Sequence, residues 1–150
     1  MKYEIERKFL VDMSKVPFPD SQVLIHQGYL FNTDDGVLRV RMETNQWLLK
    51  SWLTYKSKYD GKKCLEYEYE IPIDDARDLI KQCPKIISKH RWTLQHGKHT
   101  WIVDTFNNNS LSIAEIELSY VDEKFARPKW VTEEVTGDPH YFNSNIAKRL

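Results

Sequence analysis

Segment after segment of this chain alternates apolar and polar residues with a period of two, and within most segments the polar positions carry charge of one sign. A two-residue period belongs to a β-strand with one face against a core, and a chain built this way cannot be a helical bundle. The pattern recurs at 2–11, 23–32, 36–43, 46–57, 63–72, 86–96, 99–106 and 111–119, which predicts about eight strands. Turn residues fall between them at Asp34-Asp35-Gly36, Tyr59-Asp60-Gly61, His96-Gly97-Lys98 and Asn107-Asn108-Asn109, so neighbouring strands run antiparallel. Helical spacing is sparse. Asp74 as N-cap, apolar Ala76, Leu79, Ile80 and Cys83, and Pro84 as a stop predict one helix over 75–83. Asp138-Pro139 opens a terminal helix reaching about Lys148, Asp122 to Ala126 reads as a single turn, and 12–20, with Pro17 and Pro19, reads as a loop. The fold class is α+β, mainly β, in one domain over 1–150.

Grouping by sign is the informative part. Glu4, Glu6 and Lys8 share a face of the first strand opposite Ile5 and Phe9, and Arg7 breaks the pattern. Arg39 and Arg41 alternate with Leu38, Val40 and Met42; Glu66, Glu68 and Glu70 with Leu65, Tyr67 and Tyr69; Lys89 and Arg91 with His90 and Trp92; Glu115 and Glu117 with Ala114, Ile116 and Leu118. Lys56 and Asp104 add single charges. A solvated outer face explains any one of these strands. It does not explain the set, because like charges two residues apart sit roughly 7 Å from each other. At an effective dielectric near 20 such a pair repels by about 2 kcal/mol.

If the sheet closes into a barrel with these residues inward, acids face bases and the interior becomes a site for an anion and hard cations. Arginine gives phosphate two parallel hydrogen bonds and lysine gives it a point charge, while Mg²⁺ or Mn²⁺ takes carboxylate, water and phosphate oxygens. The histidines His26, His90, His96, His99 and His140 lack metal-site or triad spacing, and no glycine-rich phosphate loop occurs, so side chains must hold any phosphate.

Glu4-Ile5-Glu6-Arg7-Lys8-Phe9-Leu10-Val11 resembles the ExExK signature of the CYTH, or triphosphate tunnel metalloenzyme, family. Gln27-Gly28-Tyr29-Leu30, Arg39-Val40-Arg41, Leu53-Thr54-Tyr55-Lys56, Glu66 to Pro72, Lys89 to Trp92, Trp101 to Asp104, Ala114 to Leu118 and Glu134-Val135-Thr136 follow in the family's order, so the resemblance spans nearly the whole chain. It implies an eight-stranded antiparallel closed β-barrel, a triphosphate tunnel, with a few short helices outside. It also implies one or two Mg²⁺ or Mn²⁺ ions on Glu4, Glu6 and Glu117, with Glu115 close by. Lys8, Arg39, Arg41, Lys56, Lys89 and Arg91 would form the phosphate cradle, and Glu66, Glu68 and Asp104, with Lys8, would take catalytic roles. Two departures stand out: Cys64 occupies a position where the family often has Arg, and the run from Arg41 to Lys56 is about four residues long beyond the usual, which would bring Lys50 to the rim.

The function implied is metal-dependent hydrolysis of a small-molecule triphosphate, inorganic tripolyphosphate first. Adenylate cyclisation, thiamine triphosphate hydrolysis aided by Trp47, Trp52 or Trp130, and non-catalytic polyphosphate sensing are the alternatives; the cyclase loses ground because only Met1-Lys2-Tyr3 precedes Glu4. With 22 basic and 22 acidic residues there is no net field to attract nucleic acid or membrane. Two cysteines without framework spacing, no apolar signal core near Met1 and no run of membrane-spanning length predict a cytoplasmic protein. Outward Leu38, Val40, Met42, Ile116 and Leu118 need a cover, either helices or a second subunit in a homodimer.

Overall fold

The computed structural model describes residues 2–107 and 110–149. Of the predicted turn at 107–109, Asn108 and Asn109 lie outside the described residues. The strands are β1 (Tyr3–Glu4), β2 (Glu6–Val11), β3 (Ser21–Thr33), β4 (Gly36–Thr44), β5 (Leu49–Ser57), β6 (Cys64–Glu70), β7 (Ile86–His96), β8 (His99–Phe106), β9 (Ser112–Glu117) and β10 (Val131–Glu134); the helices are α1 (Ile73–Lys81) and α2 (Asn143–Arg149). All strand pairs are antiparallel, in the order β1-β6-β5-β4-β3-β7-β8-β9-β2-β10.

Among the described residues the order has ten strands, where eight were expected, and it ends at β1 and β10. The strand predicted over 2–11 divides at Ile5. Before it, Tyr3 and Glu4 pair with Leu65 and Cys64 of β6; after it, Glu6 pairs with Glu117 of β9. The chain thus passes, within one residue, from one end of the strand order to near the other. β10 is only Val131-Thr132-Glu133-Glu134, too short to show a period, and it pairs with β2 through an irregular register. β5 starts at Leu49 and not near 46, because Asn45 closes a turn by donating its N–H to the Leu48 carbonyl at 2.9 Å while its side chain accepts from the Trp47 N–H at 2.8 Å.

Asp74 does not cap α1. The helix begins at Ile73, two residues before the predicted start and just after Pro72, and Asp74 pairs instead with Arg77 at 3.2 Å on the surface. The predicted terminal helix is broken: Asp138 caps a single 3-10 turn, Pro139–Tyr141, by accepting from the His140 N–H, and extended Phe142 separates it from α2. At 122–126 there is no helix: a turn closed by the Glu123 N–H on the Tyr120 carbonyl at 3.1 Å ends there, and Glu123 spends its carboxylate on His99 and on the Ser119 N–H. Among the described residues no helix is long and apolar enough to cross a membrane.

Three covers bury the apolar side chains. The first is α1, which packs on the outer face of β3, β4 and β5, with Ala76 and Val40 fully buried. On the outer face of β2, β8 and β9, Phe9, Trp101, Val103, Ala114, Ile116 and Leu118 pack with Trp130, Leu94 and Phe125, so the connection 118–130 covers the face that the sequence left bare. The third cluster corrects the expectation of a charged inner face throughout. Tyr29, Ile87, Phe106 and Ile113 pack with Ile146 and Ala147 of α2. Ile87, Phe106 and Ile113 lie two residues from Lys89, Asp104 and Glu115, hence on the same parity as those charges. One end of the inner face is therefore an apolar floor on which α2 rests.

Candidate functional site

Strand register brings the charged parities together. Glu6 faces Glu117 and Lys8 faces Glu115 between β2 and β9; Lys56 faces Glu66 and Thr54 faces Glu68 between β5 and β6; Arg91 faces Asp104 between β7 and β8; Arg41 faces Gln27 between β3 and β4. Most of these residues border a cavity of about 1480 Å³. Glu4, Glu6, Lys8, Arg39, Arg41, Lys56, Glu66, Glu68, Arg91, Glu115 and Glu117 line it, and Cys64, Tyr59, Thr136, Phe142 and Asn143 add to its wall. Lys89 and Asp104 lie behind that wall, with side chains 0% and 1% exposed. Lys50 pairs in register with Glu43 and is not among the lining residues. Nor are the tryptophans expected at the mouth: Trp47 is on the open surface and Trp130 is in the outer core, whereas Tyr59 and Phe142, stacked edge to face, do border the cavity.

Three ion networks organise the wall. In the first, Lys56 reaches Glu4 at 2.8 Å and Glu66 at 3.2 Å, tying β5 and β6 to β1. In the second, Lys8 reaches Glu115 at 3.4 Å and Glu6 at 3.7 Å, and its ammonium also donates to the Tyr141 carbonyl at 3.4 Å. The third is a buried core of charge: Lys89 donates to Asp104 at 2.7 Å and Arg91 binds both Asp104 oxygens at 2.9 Å, while Asn143 of α2 accepts from Lys89 at 2.8 Å. Between them Arg41 is oriented by the Gln27 side chain, 2.8 Å away, and Arg39 contacts Thr54 at 3.3 Å and Glu68 at 3.4 Å. Arg39 Nε is buried with no hydrogen-bond partner among the described residues. A buried guanidinium nitrogen left unmatched is costly, and an anion in the cavity is the natural acceptor for it.

The titration of these groups follows from their surroundings. Burial pushes the Glu6 carboxyl up to about 7, helped by Glu115 and Glu4 and opposed by Lys8. Burial also raises Glu4 and Glu117. Burial would raise Glu115 too, but Lys8, Arg91 and Lys89 together outweigh it and hold Glu115 at about 2. Arg41 falls to about 9 through burial and its neighbours Arg39 and Arg91, and Lys89 falls to about 7 through burial, Arg91 and Arg41. Asp104 goes the other way, since Arg91 and Lys89 overcome the cost of its burial. The cavity thus has a cation-rich sector, where positive charge is in excess, and an acid-rich sector around Glu4, Glu6 and Glu117, where negative charge is in excess.

The acid-rich sector fits a hard divalent cation by its chemistry. Its donors are carboxylate oxygens, and the raised titration of Glu6, Glu4 and Glu117 is the cost first of burial and then of crowding carboxylates together. Among the described residues, no three of these groups converge as an assembled ligand set. Lys8 and Lys56 bond to Glu6, Glu115 and Glu4 instead.

Four residues at the wall or buried just behind it had no role assigned from the sequence. Gln27 and Thr54 share the parity of the charged residues on their strands, and that parity is the signal that points to them. Thr136 and Asn143 come from segments without strand alternation, and only the folded chain brings them to the wall.

A profile of the CYTH domain matches residues 2–149. A protein from Acetivibrio thermocellus named inorganic triphosphatase is 42% identical over 152 residues, covering 99% of this chain and 95% of its own. The solved inorganic triphosphatase NE1496 is 31% identical, with a TM-score of 0.64 over 96% of this chain and 97% of that one. A Hippeastrum protein described as a putative adenylyl cyclase with a dominant triphosphatase activity shares the fold at a TM-score of 0.60, with 15% identity over 80% of each chain.

Proposed function

The chain belongs to the CYTH domain family, and from that premise we propose that it hydrolyses triphosphates, inorganic tripolyphosphate first, to pyrophosphate and phosphate. The observation that carries this reading is the cavity itself, in which a cation-rich sector and an acid-rich sector share one wall. A cation-only sensor would have no use for carboxylates beside its ligand. The relatives named inorganic triphosphatase support the choice of substrate.

The sheet is read as a tunnel closed at Ile5, its eight sides formed by the β1–β2 strand and β3 to β9. Backbone bonds on both sides of that residue support closure: the Lys2 carbonyl accepts from Glu66 of β6 at 2.9 Å, and the Ile5 carbonyl accepts from Leu118 at 2.7 Å.

Arg39, Arg41, Lys56, Lys8 and Arg91 bind and neutralise the phosphoryl oxygens, and Lys89 adds charge from behind Arg91. Asp104 acts through Arg91 and Lys89, holding them at the wall. Glu66 and Glu68 orient the water that attacks the terminal phosphorus; as that bond forms, the bridging P–O bond breaks and pyrophosphate leaves. Glu4, Glu6, Glu115 and Glu117 would hold Mg²⁺ or Mn²⁺, one or two ions, which would offset phosphoryl charge and acidify a bound water. For this, Lys8 and Lys56 must give up part of their hold on the carboxylates, and the phosphate oxygens are their replacement partners.

The same reading takes the protein as one cytoplasmic domain over 1–150 whose partner is the small-molecule triphosphate, with no nucleic acid and no membrane. It includes a homodimer through the outer face: Val40, Ile116 and Leu118 are covered within the chain, but Phe31 and Tyr55 remain exposed. Light scattering at micromolar concentration that finds only an 18 kDa species refutes the dimer. For the activity, tripolyphosphate, ATP and thiamine triphosphate are each incubated with Mg²⁺, with Mn²⁺ and with EDTA. Phosphate release from tripolyphosphate that EDTA abolishes is expected; release indifferent to EDTA, or none from any substrate, refutes the reading.

A further inference from the structure

Arg7 breaks the alternation of β2, and its contacts give the reason. It shares the parity of Ile5 and Phe9 and there binds Glu134 with two guanidinium nitrogens, through Nε and, at 2.7 Å, through Nη2. Arg127 adds a third contact to the same carboxylate at 3.2 Å. Glu134 in turn accepts from the Thr136 hydroxyl at 2.7 Å, and the Thr136 oxygen accepts the Lys8 backbone N–H at 2.8 Å. A strand would ordinarily supply a backbone carbonyl at that point. The chain just past β10 serves only the other half of Lys8: the Val135 N–H donates to the Lys8 carbonyl at 2.8 Å, and then the chain turns away at Gly137, whose φ is +75°. A side-chain oxygen takes over exactly one ladder bond.

That oxygen is aimed. A hydroxyl has one proton, and the Thr136 proton has two acceptors within reach, Glu134 at 2.7 Å and the Lys8 carbonyl at 3.4 Å. With the proton committed to the nearer, charged oxygen, a lone pair is left facing the Lys8 N–H. Glu134 can hold the proton there because Arg7 and Arg127 fix its plane. Lys8 sends its ammonium into the cavity, to Glu115 and Glu6. We infer that Arg7, Glu134 and Thr136 form a positioning relay, running from the outer face of the sheet to Thr136 at the cavity wall, that sets where Lys8 presents its ammonium to the anion. The inference rests on the triphosphatase reading for its kinetic consequence, not for its geometry.

Thr136→Val keeps the volume and removes the lone pair; Thr136→Ser keeps the lone pair. T136V is expected to lower kcat on tripolyphosphate about 10-fold, with T136S restoring it to within about 2-fold of the parent. In a Lys8→Met background, T136V should cost nothing further, because its effect runs through Lys8. An equal loss in both backgrounds, or a folded T136V protein with parental kcat and KM, overturns the relay. If T136V does not fold, Glu134→Gln is read in the same way, since it keeps an acceptor for Thr136 but loosens the arginines. A readout free of turnover is the ¹H–¹⁵N resonances of the Lys8 amide and ammonium. Both should move in T136V and stay near parental values in T136S; an unmoved ammonium overturns the relay. A parent protein that turns over no triphosphate sinks the functional reading alone, and the resonances still decide the relay.

Discussion

Lys89 and Asp104 meet at 2.7 Å with neither side chain open to water, and Arg91 binds the same carboxylate from the cavity side. Two cations on one buried acid is a balance that holds only while the acid is charged. Asp104→Asn keeps the shape and removes the charge, leaving Lys89, Arg91 and nearby Arg41 to repel one another behind the wall. Breaking a buried ion network from one side costs about 3–5 kcal/mol. D104N should lose about that much in urea or guanidinium unfolding.

Proton traffic should have opposite signs in the two sectors. Glu6 titrates at about 7 because of burial and of Glu115 and Glu4, so at pH 6.5 most of it carries a proton that a divalent ion must displace. Mg²⁺ binding then releases protons, an effect that fades above pH 8. Lys89 also titrates at about 7, held down by burial, Arg91 and Arg41. An anion seated on those arginines draws it back up, so tripolyphosphate binding in EDTA at pH 7.5 takes protons up. Calorimetry in two buffers of different ionisation enthalpy reads both signs, and equal signs would contradict the division of the cavity.

The stability curve carries the same signature. Because the folded-state value of Glu6 lies above its ordinary 4.5, its contribution is fully present below pH 4.5 and is lost as pH rises through about 7. Glu6→Gln removes that loss. Its side chain is 23% exposed, so the gain over the parent at pH 8 is only about 1–2 kcal/mol, seen as a higher denaturation midpoint there and no gain at pH 4.

Cys64 borders the cavity, and its thiol, pushed up to about 12 by burial and Glu4, adds no charge to the wall at neutral pH. Cys64→Arg would place a guanidinium beside Glu4, whose carboxylate is 3.9 Å from the sulfur, and that carboxylate would neutralise much of it. The remainder is about 1 kcal/mol of added attraction for an anion. KM for tripolyphosphate should fall about 5-fold, and the Mg²⁺ concentration for half-maximal rate should rise as Glu4 is drawn away. Unchanged values would show that this corner of the cavity takes no part in binding.

The period of two made the strands and the charged parity legible, because one face of each strand answers to water or ligand and the other to a core. Ile5 illustrates what the pattern cannot show. It keeps the alternation through 2–11, yet its carbonyl bonds to Leu118 while its neighbours on the N-terminal side pair with β6, and only long-range pairing makes that division. Lys89 and Asp104 were visible as charges on the right parity, but their place behind the wall depends on the floor of Ile87, Phe106 and Ile113 and on Asn143 of α2. Arg7 looked like an error in the pattern because its partner, Glu134, lies 127 residues away.

Gly28 offers a test of how firmly the outer cover is set. A Cβ built on it would come within 2.6 Å of the Cys83 Cβ and 2.7 Å of its sulfur, both far inside contact distance. Something must move, and Cys83 is held on the C-terminal side of α1 by its N–H to the Ile80 carbonyl at 3.0 Å. On the other side, Gly28 is paired to Val40 of β4 and Ile86 of β7 in the middle of the sheet, where strands cannot shift alone. The end of α1 therefore yields, and Gly28→Ala should cost about 1–3 kcal/mol by denaturant unfolding, as for other overpacked positions. Cys83→Ala leaves the Cβ in place and should not relieve it, whereas Cys83→Gly should recover most of the G28A loss. Because the movement falls on the outside of the sheet, the kcat of folded G28A on tripolyphosphate should stay within about 2-fold of the parent. A larger drop would mean that β3 moved instead and carried Gln27, with the Arg41 it orients, away from the cavity.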